Sequence, residues 1–336
     1  MMMVSSLTAC GSRAAGTVQQ AKAAAVRAEA PAKEQAEAAG QEQKPETITV
    51  TSINANNERI EVEVPYHPQR IAVIDMACLD IIDALGLGDR VVGTAASQIE
   101  YLQDYMDNET IANLGTLKSP DAEAVMECEP DIIFMGGRAS EYMDTLNEIA
   151  PVIRMITDTE AGVVASVSAN AGAIASVFGL EDKIAAMMEE YDSRIAALQD
   201  FAKGKNAIVG MCTSGSYNVL GNDGRCSIIG REIGFENMGV DANIDTSTHG
   251  NEASFEFIAE KAPEYIFVMD RDAATAREGA QLAQEIMENE LVMETEAYKN
   301  GNLIYLAHPA VWYTAEGGIQ ALDVMLQDLE AGLLNR

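Results

Sequence analysis

The sequence has few basic and few aromatic residues, and each shortage argues against a class of function. Its 22 Lys and Arg residues stand against 53 Asp and Glu residues, which gives a formal net charge of −31. Such a charge repels the phosphate backbone, so we expect no nucleic-acid partner. Aromatic residues make up 5% of the chain, with Trp312 as the single tryptophan. Stacking platforms for single-stranded nucleic acid are therefore not expected either.

Long apolar runs and catalytic or metal-binding motifs are also missing. After the first few residues the chain has no apolar run of about 18 residues, so no transmembrane helix is expected in its body. Cys78, Cys128, Cys212 and Cys226 lack the CxxC or Cys/His spacing of a metal site. Cys212 and Cys226 could pair, although buried free thiols are the preferred interpretation. The sequence has no Gly-x-Ser-x-Gly, His-Glu-x-x-His or P-loop signature, so we predict that the protein is not an enzyme.

The first residues resemble a membrane-targeting signal. Leu7-Thr8-Ala9-Cys10 is similar to the lipobox of bacterial lipoprotein precursors, in which the cysteine carries the lipid. We therefore interpret residues 1–10 as a remnant lipoprotein signal with Cys10 as the lipidation site; a chance match is the alternative. Residues 11–40 contain 12 alanines but no Leu, Ile or aromatic residue. Such a segment cannot bury enough apolar area to offset its ordering entropy, so residues 11–46 are predicted to be a flexible tether.

The body of the chain alternates between strand and helix patterns. Continuous apolar runs at 70–74, 132–135 and 207–211 are typical of buried parallel strands. Between the two halves, one stripe at helical spacing predicts a helix over 181–203, with the members Ile184, Met188, Tyr191, Ile195 and Leu198. We predict an α/β fold with two Rossmann-like lobes (47–180 and 204–336), mainly parallel sheets, one long connecting helix and a ligand cleft between the lobes.

The two halves also repeat a local motif. Residues 121–138 and 254–271 each show a helix with a glutamate, then a strand led by Pro and an acidic residue, then an arginine. These arginines, Arg138 and Arg271, follow the carboxyl ends of the strands, which is where open α/β sheets bind ligands. The repeat therefore predicts that both arginines face one shared cleft.

Several of these segments resemble one protein family. His67-Pro68-Gln69-Arg70-Ile71, Glu129-Pro130-Asp131-Ile132-Ile133, the lipobox and the single connecting helix are similar to the helical-hinge substrate-binding lipoproteins of ABC importers. The segments 247–250, 267–271 and 312–318 look like those of catecholate-siderophore binders of the enterochelin/petrobactin type.

The resemblance implies a function outside the cytoplasm. A lipid-anchored, monomeric protein would capture a ferric siderophore and deliver it to an ABC permease and its ATPase. The siderophore would be the transported ligand, and no intrinsic cofactor is implied. Haem or cobalamin binding on the same fold is the near alternative, and a metal-cluster enzyme on a two-lobed scaffold is the distant one.

The resemblance also implies the ligand site. His249 and Tyr313 would be direct iron ligands, and Arg138, Arg225 and Arg271 would bind and neutralise the catecholate anion. The two iron ligands would complete the coordination of iron held by a tetradentate bis-catecholate. With a hexadentate siderophore they would only line the cleft.

Each assignment has a structural alternative. The histidine and tyrosine could be ordinary structural residues, and the arginines could form surface ion pairs. Arg231 could take the place of Arg225. His308 is interpreted as a structural residue or as one that supports the ligand-binding side chains from behind. Glu123 and Glu256 would dock on the permease, one from each lobe; the alternative is that they are two exposed glutamates among many.

Overall fold

The computed structural model describes residues 45–240 and 250–335. Two of the predicted functional residues, Cys10 and His249, lie outside these described residues. The described strands are β1 (Thr47–Ile53), β2 (Arg59–Pro65), β3 (Ile71–Ile74), β4 (Val91–Thr94), β5 (Ala112–Asn113), β6 (Ile132–Met135), β7 (Val152–Arg154), β8 (Asn206–Thr213), β9 (Ser216–Val219), β10 (Glu236–Asn237), β11 (Asn251–Glu252), β12 (Tyr265–Asp270) and β13 (Leu303–Tyr305).

Helices connect and cover these strands. They are α1 (Met76–Ala84), α2 (Gln103–Asp107), α3 (Ala122–Glu127), α4 (Met143–Asn147), α5 (Val163–Ser176), α6 (Glu181–Ala202), α7 (Ile228–Arg231), α8 (Phe255–Lys261), α9 (Arg271–Ala274), α10 (Ala283–Met287), α11 (Glu290–Met293), α12 (Glu296–Lys299), α13 (Pro309–Thr314) and α14 (Ile319–Leu333). Short 3₁₀ turns lie at Gly88–Arg90, Glu100–Leu102 and Gly137–Tyr142.

The strands form two main sheets, one from the strands before α6 in the chain and one from the strands after it. The first lobe has a five-stranded parallel sheet in the order β5-β4-β3-β6-β7, preceded by the antiparallel hairpin of β1 and β2. The second lobe has a six-stranded sheet in the order β11-β9-β8-β12-β13, with β10 beside β8. In this sheet β9 pairs antiparallel with both of its neighbours, β8 and β11. The pairs β8–β10, β8–β12 and β12–β13 are parallel. The predicted α/β class with mainly parallel sheets is confirmed.

The connecting helix α6 has 22 residues and is therefore about 33 Å long. Its predicted stripe faces the core: Ile184, Tyr191, Ile195 and Leu198 are buried, and Met188 is partly buried. Helix α14 packs against α6 and also against α1 and α5. The C-terminal helix, which the sequence pattern assigns to the second lobe, thus lies against the helices of the first lobe.

Asp80 fixes the start of α14 on α1. Its Oδ1 accepts a hydrogen bond from the Gln320 backbone N–H (2.9 Å), and its Oδ2 accepts one from the Ala321 N–H (2.8 Å) and one from the Tyr101 hydroxyl (2.6 Å). Gly318 permits this approach, because a Cβ there would lie 2.5 Å from the Asp80 carboxyl group. Burial raises the pKa of Asp80 to about 7, although these hydrogen bonds oppose the rise.

The raised pKa predicts that the folded protein is more stable in mild acid than in base. The folded state holds a proton on Asp80 up to about pH 7, whereas the unfolded chain releases it near pH 4. Stability therefore falls as the pH rises through this window, by about 2 kcal/mol between about pH 5.5 and 8. Urea unfolding at several pH values measures this change, and Asp80→Asn should flatten the slope. A slope that is the same in both proteins would contradict the assignment to Asp80.

Candidate ligand cleft

A cavity of about 500 Å³ lies at the carboxyl ends of the strands, and both lobes line it. The first lobe contributes Asp75, Arg138 and the segment 155–159, and the second lobe contributes the segments 223–225 and 313–314. This is the place where open α/β sheets bind their ligands.

Strand ends place two of the predicted arginines here. Arg138 lies in the 3₁₀ turn that follows β6, and Arg271 begins α9 directly after β12. Both strands lie beside the central strand of their sheet, β6 beside β3 and β12 beside β8. The repeated motif of the sequence thus corresponds to equivalent positions in the two lobes.

Tyr313 is the point on which the arginines converge. It lies inside the short helix α13, which begins at Pro309. Asp328 anchors this helix by accepting hydrogen bonds from Trp312 Nε1 (2.9 Å) and the His308 backbone N–H (3.1 Å), and it contacts His308 Nδ1 (2.7 Å). His308 thus contacts the carboxyl group that anchors this helix, and it does not line the cavity.

Two guanidinium groups donate to one backbone oxygen. Arg138 Nη2 and Arg225 Nη1 both donate to the carbonyl oxygen of Tyr313, at 2.7 and 2.5 Å. This carbonyl is available because α13 ends at Thr314, and the last carbonyls of a helix lack partners within the helix. The backbone of Tyr313 thus holds both arginines at the wall of the cavity.

The ring of Tyr313 contacts three guanidinium groups. The central carbon of Arg225 lies 4.2 Å from the ring centroid, and those of Arg271 and Arg138 lie at 5.5 and 5.8 Å. Arg271 Nε also donates to the Tyr313 hydroxyl (3.0 Å). Arg271 is not among the residues that line the cavity; it lies behind Tyr313 and donates to Thr213 Oγ1 (2.9 Å).

The two arginines at this wall have no direct ion pair within the described residues, although the charge of Glu316 attracts both of them. Neither Arg138 nor Arg225 forms an ion pair with a described carboxylate. The Nε atom of Arg225 is buried and has no described hydrogen-bond partner. Burial lowers the pKa of Arg225, and the nearby charge of Arg138 lowers it further. An anion at this wall would relieve that repulsion and supply the missing acceptor.

The cavity also contains ionisable residues that the sequence analysis missed. Asp75, Asp158, Asp223 and Glu316 contribute carboxyl groups, and Lys118 contributes a further cation. Burial raises the pKa of Glu316 to about 7, and its Oε1 accepts a hydrogen bond from the Cys226 N–H (2.8 Å). Asp75 could have been found, because it directly follows β3 as Arg138 follows β6.

Arg231 does not take the place of Arg225. It donates to the backbone oxygens of Thr159 and Glu160 in the first lobe. The adjacent Glu232 Oε1 accepts a hydrogen bond from the Val163 N–H (2.6 Å) at the start of α5. Gly162 leaves room for this contact, because a Cβ there would lie 2.3 Å from that oxygen. These contacts join the two lobes beside the cavity.

The predicted docking glutamates occupy matching places in the two lobes. Glu123 lies in the first turn of α3, which the Asp121 side chain caps, and Glu256 lies in the first turn of α8, which Ser254 caps. Both glutamates are exposed. Their helices precede the strands that carry Arg138 and Arg271, so each glutamate belongs to the same structural unit as one arginine.

The remaining described features give little sign of other chemistry. Cys78, Cys128, Cys212 and Cys226 are buried and free, as predicted. Within residues 45–240 and 250–335 no group of three or more His, Cys, Asp or Glu side chains is arranged to hold a metal ion. No helix in these ranges is both long and apolar enough to span a membrane.

Comparisons with known proteins agree with this architecture. The profile of the family described as periplasmic binding protein matches residues 71–310. The petrobactin-binding protein YclQ of Bacillus subtilis is 34% identical over 274 residues, which cover 81% of this chain and 84% of YclQ. The crystal structure of YclQ covers 87% of this chain and 100% of the YclQ chain, with a TM-score of 0.79.

Two further relatives are similar over most of their length. The ferric-anguibactin-binding protein FatB of Vibrio anguillarum is 25% identical, over 79% of this chain and 82% of FatB. The crystal structure of the periplasmic catecholate-siderophore-binding protein VctP of Vibrio cholerae has a TM-score of 0.76 at 30% identity, over 84% of this chain and 100% of the VctP chain.

Proposed function

Because the chain belongs to the family of periplasmic binding proteins, we propose that it captures a ferric siderophore of the catecholate type and delivers it to an ABC permease. It is a substrate-binding protein and not an enzyme. The siderophore is its transported ligand rather than a cofactor. Relatives that bind petrobactin, ferric anguibactin and catecholate siderophores support this ligand class. A lipid attached to Cys10 would anchor the protein at the outer surface of the cell membrane.

One observation carries the proposal for the ligand. Arg138 and Arg225 share a neutral acceptor, the Tyr313 carbonyl, and form no direct ion pair with a described carboxylate. A ferric bis- or tris-catecholate is an anion with planar rings and closely spaced oxygens. Guanidinium groups bind such oxygens through paired hydrogen bonds and stack on aromatic rings.

Titration of the full chain with three ligand classes tests the function. We expect ferric bis-catecholate to bind far more tightly than a ferric hydroxamate or haem. The fluorescence of Trp312 reports binding, because this buried residue directly precedes Tyr313. Tight binding of haem and none of the ferric catecholate would replace the proposal with haem capture.

We also propose that the Tyr313 hydroxyl is an iron ligand for siderophores that leave coordination positions open. Tyr313 lines the cavity, and its hydroxyl oxygen accepts a hydrogen bond from Arg271 Nε (3.0 Å).

Tyr313→Phe tests this role, because it keeps the ring and the backbone carbonyl that holds the two arginines. With a tetradentate ferric bis-catecholate we expect about 10-fold weaker binding and loss of the phenolate-to-iron absorption. With a hexadentate tris-catecholate the affinity should change little, since the iron already has six ligands. An unchanged spectrum with the tetradentate complex would show that Tyr313 only lines the cleft.

A further inference from the structure

The charges along the cavity are of both signs, which a purely anionic ligand does not explain. The cations are Lys118, Arg138 and Arg225, and the carboxyl groups are those of Asp75, Asp158, Asp223 and Glu316. Such an arrangement suits a ligand that carries a positive group as well as the anionic iron-binding groups.

Asp75 is the carboxyl group most available to such a positive group. Asp158 already accepts hydrogen bonds from two backbone N–H groups and from Arg59. Asp223 is exposed to solvent. Glu316 is attracted by Arg225 and accepts a hydrogen bond from the Cys226 N–H. Asp75, in contrast, is 8% exposed and lines the cavity, so it is buried in the protein but faces the ligand space.

The Asp75 side chain has hydrogen-bond partners at the start of α1 but no direct ion pair. Its Oδ1 accepts a hydrogen bond from the Cys78 N–H (3.1 Å) and caps α1. Among the described residues no cation forms an ion pair with Asp75. A carboxylate can accept several hydrogen bonds, and its burial without a direct ion pair is costly. Burial accordingly raises the pKa of Asp75, against the opposing charge of Arg138.

The backbone leaves space for this carboxylate. Gly136 follows β6, and a Cβ at Gly136 would lie 2.0 Å from Asp75 Oδ2. A side chain at this position would therefore displace Oδ2. Gly136, which lies between β6 and Arg138, therefore also leaves room for the Asp75 carboxylate.

From these observations we infer that Asp75 is a ligand-binding residue that receives a protonated amine in the backbone of the siderophore. The inference rests on the proposed function and narrows its substrate class to ferric catecholates that contain an ammonium group. The catecholate end lies at Arg138 and Arg225, and the ammonium group lies against Asp75.

Two synthetic probes separate this role from a structural one. Both are ferric bis-catecholates with linkers of equal length; one linker has a secondary amine, and the other has a methylene group in its place. We expect the wild-type chain to bind the amine probe about 10- to 100-fold more tightly at neutral pH, as measured by Trp312 fluorescence. Asp75→Asn should remove this preference and should bind the methylene probe as well as, or better than, the wild type. Asparagine is as good a helix cap as aspartate, so α1 should be preserved.

Asp121→Asn is the matched control, because Asp121 caps α3 and does not line the cavity. It changes the net charge by the same amount and should keep the preference for the amine probe. Equal weakening of both probes by Asp75→Asn would assign Asp75 a structural role. Tight binding of both probes without a preference in the wild type would overturn the inference and leave the proposed function standing. Failure to bind either probe would overturn the proposed function together with the inference.

Discussion

Replacement of Arg225 by glutamine should weaken the binding of a ferric catecholate by about 100-fold, which corresponds to about 3 kcal/mol. Arg225 is the guanidinium closest to the Tyr313 ring, and its buried Nε has no described partner. In the complex a catecholate oxygen would accept that hydrogen bond and neutralise the charge. Arg225→Lys should be intermediate, because it keeps the charge but loses the planar pair of donors.

Arg225→Gln should not lower the stability of the folded protein in the absence of ligand. In that state burial and the repulsion from Arg138 disfavour the charge of Arg225 more than the attraction of Glu316 favours it, so its removal should leave the melting temperature unchanged or raise it. Arg277→Gln is the control, because Arg277 is half-exposed in the second lobe and does not line the cavity. Calorimetric titration measures the affinities. If Arg225→Gln binds within about threefold of the wild type, then Arg225 is outside the ligand site.

Simultaneous replacement of Glu123 and Glu256 by alanine should abolish uptake while leaving ligand affinity intact. Both side chains are exposed in the first turn of their helices, one in each lobe, and neither lines the cavity. Exposed carboxylates can pair with arginines of a permease when the loaded protein docks. Each single variant should retain part of the uptake, because the other lobe still docks.

Uptake is measured with radiolabelled ferric siderophore in cells that have this chain as their binding protein for the ligand. The double variant Glu127→Ala and Glu260→Ala is the control, since these exposed glutamates lie on the same two helices. Normal uptake by the Glu123 and Glu256 double variant would exclude the docking role. Weaker ligand binding by that variant would instead place the two glutamates in the ligand site.

The sequence predicts the fold well where burial alone determines the pattern. Strands β3, β6, β8 and β12 are fully or mostly buried, and their apolar runs show this directly. The stripe on α6 is likewise visible because one face of the helix is buried. The position of α14 could not be predicted, since it depends on the Asp80 carboxyl group of a helix that is distant in sequence.

Less of the ligand site than of the fold could be predicted from the sequence. Arg138 and Arg271 follow strands, so sheet topology alone places both at the carboxyl ends of the strands, but only Arg138 lines the cavity. The backbone carbonyl of Tyr313, which holds two of the arginines, has no signature in the sequence. The separation of Arg271 from the cavity wall by the Tyr313 ring also depends on tertiary packing.

The most direct test of the central claim is a crystal structure of the chain with a ferric bis-catecholate. We expect the complex to fill the cavity, with catecholate oxygens within hydrogen-bond distance of Arg138 and Arg225 and the iron beside the Tyr313 hydroxyl. A ferric catecholate bound elsewhere on the protein, with the guanidinium groups still on the Tyr313 carbonyl alone, would contradict the account.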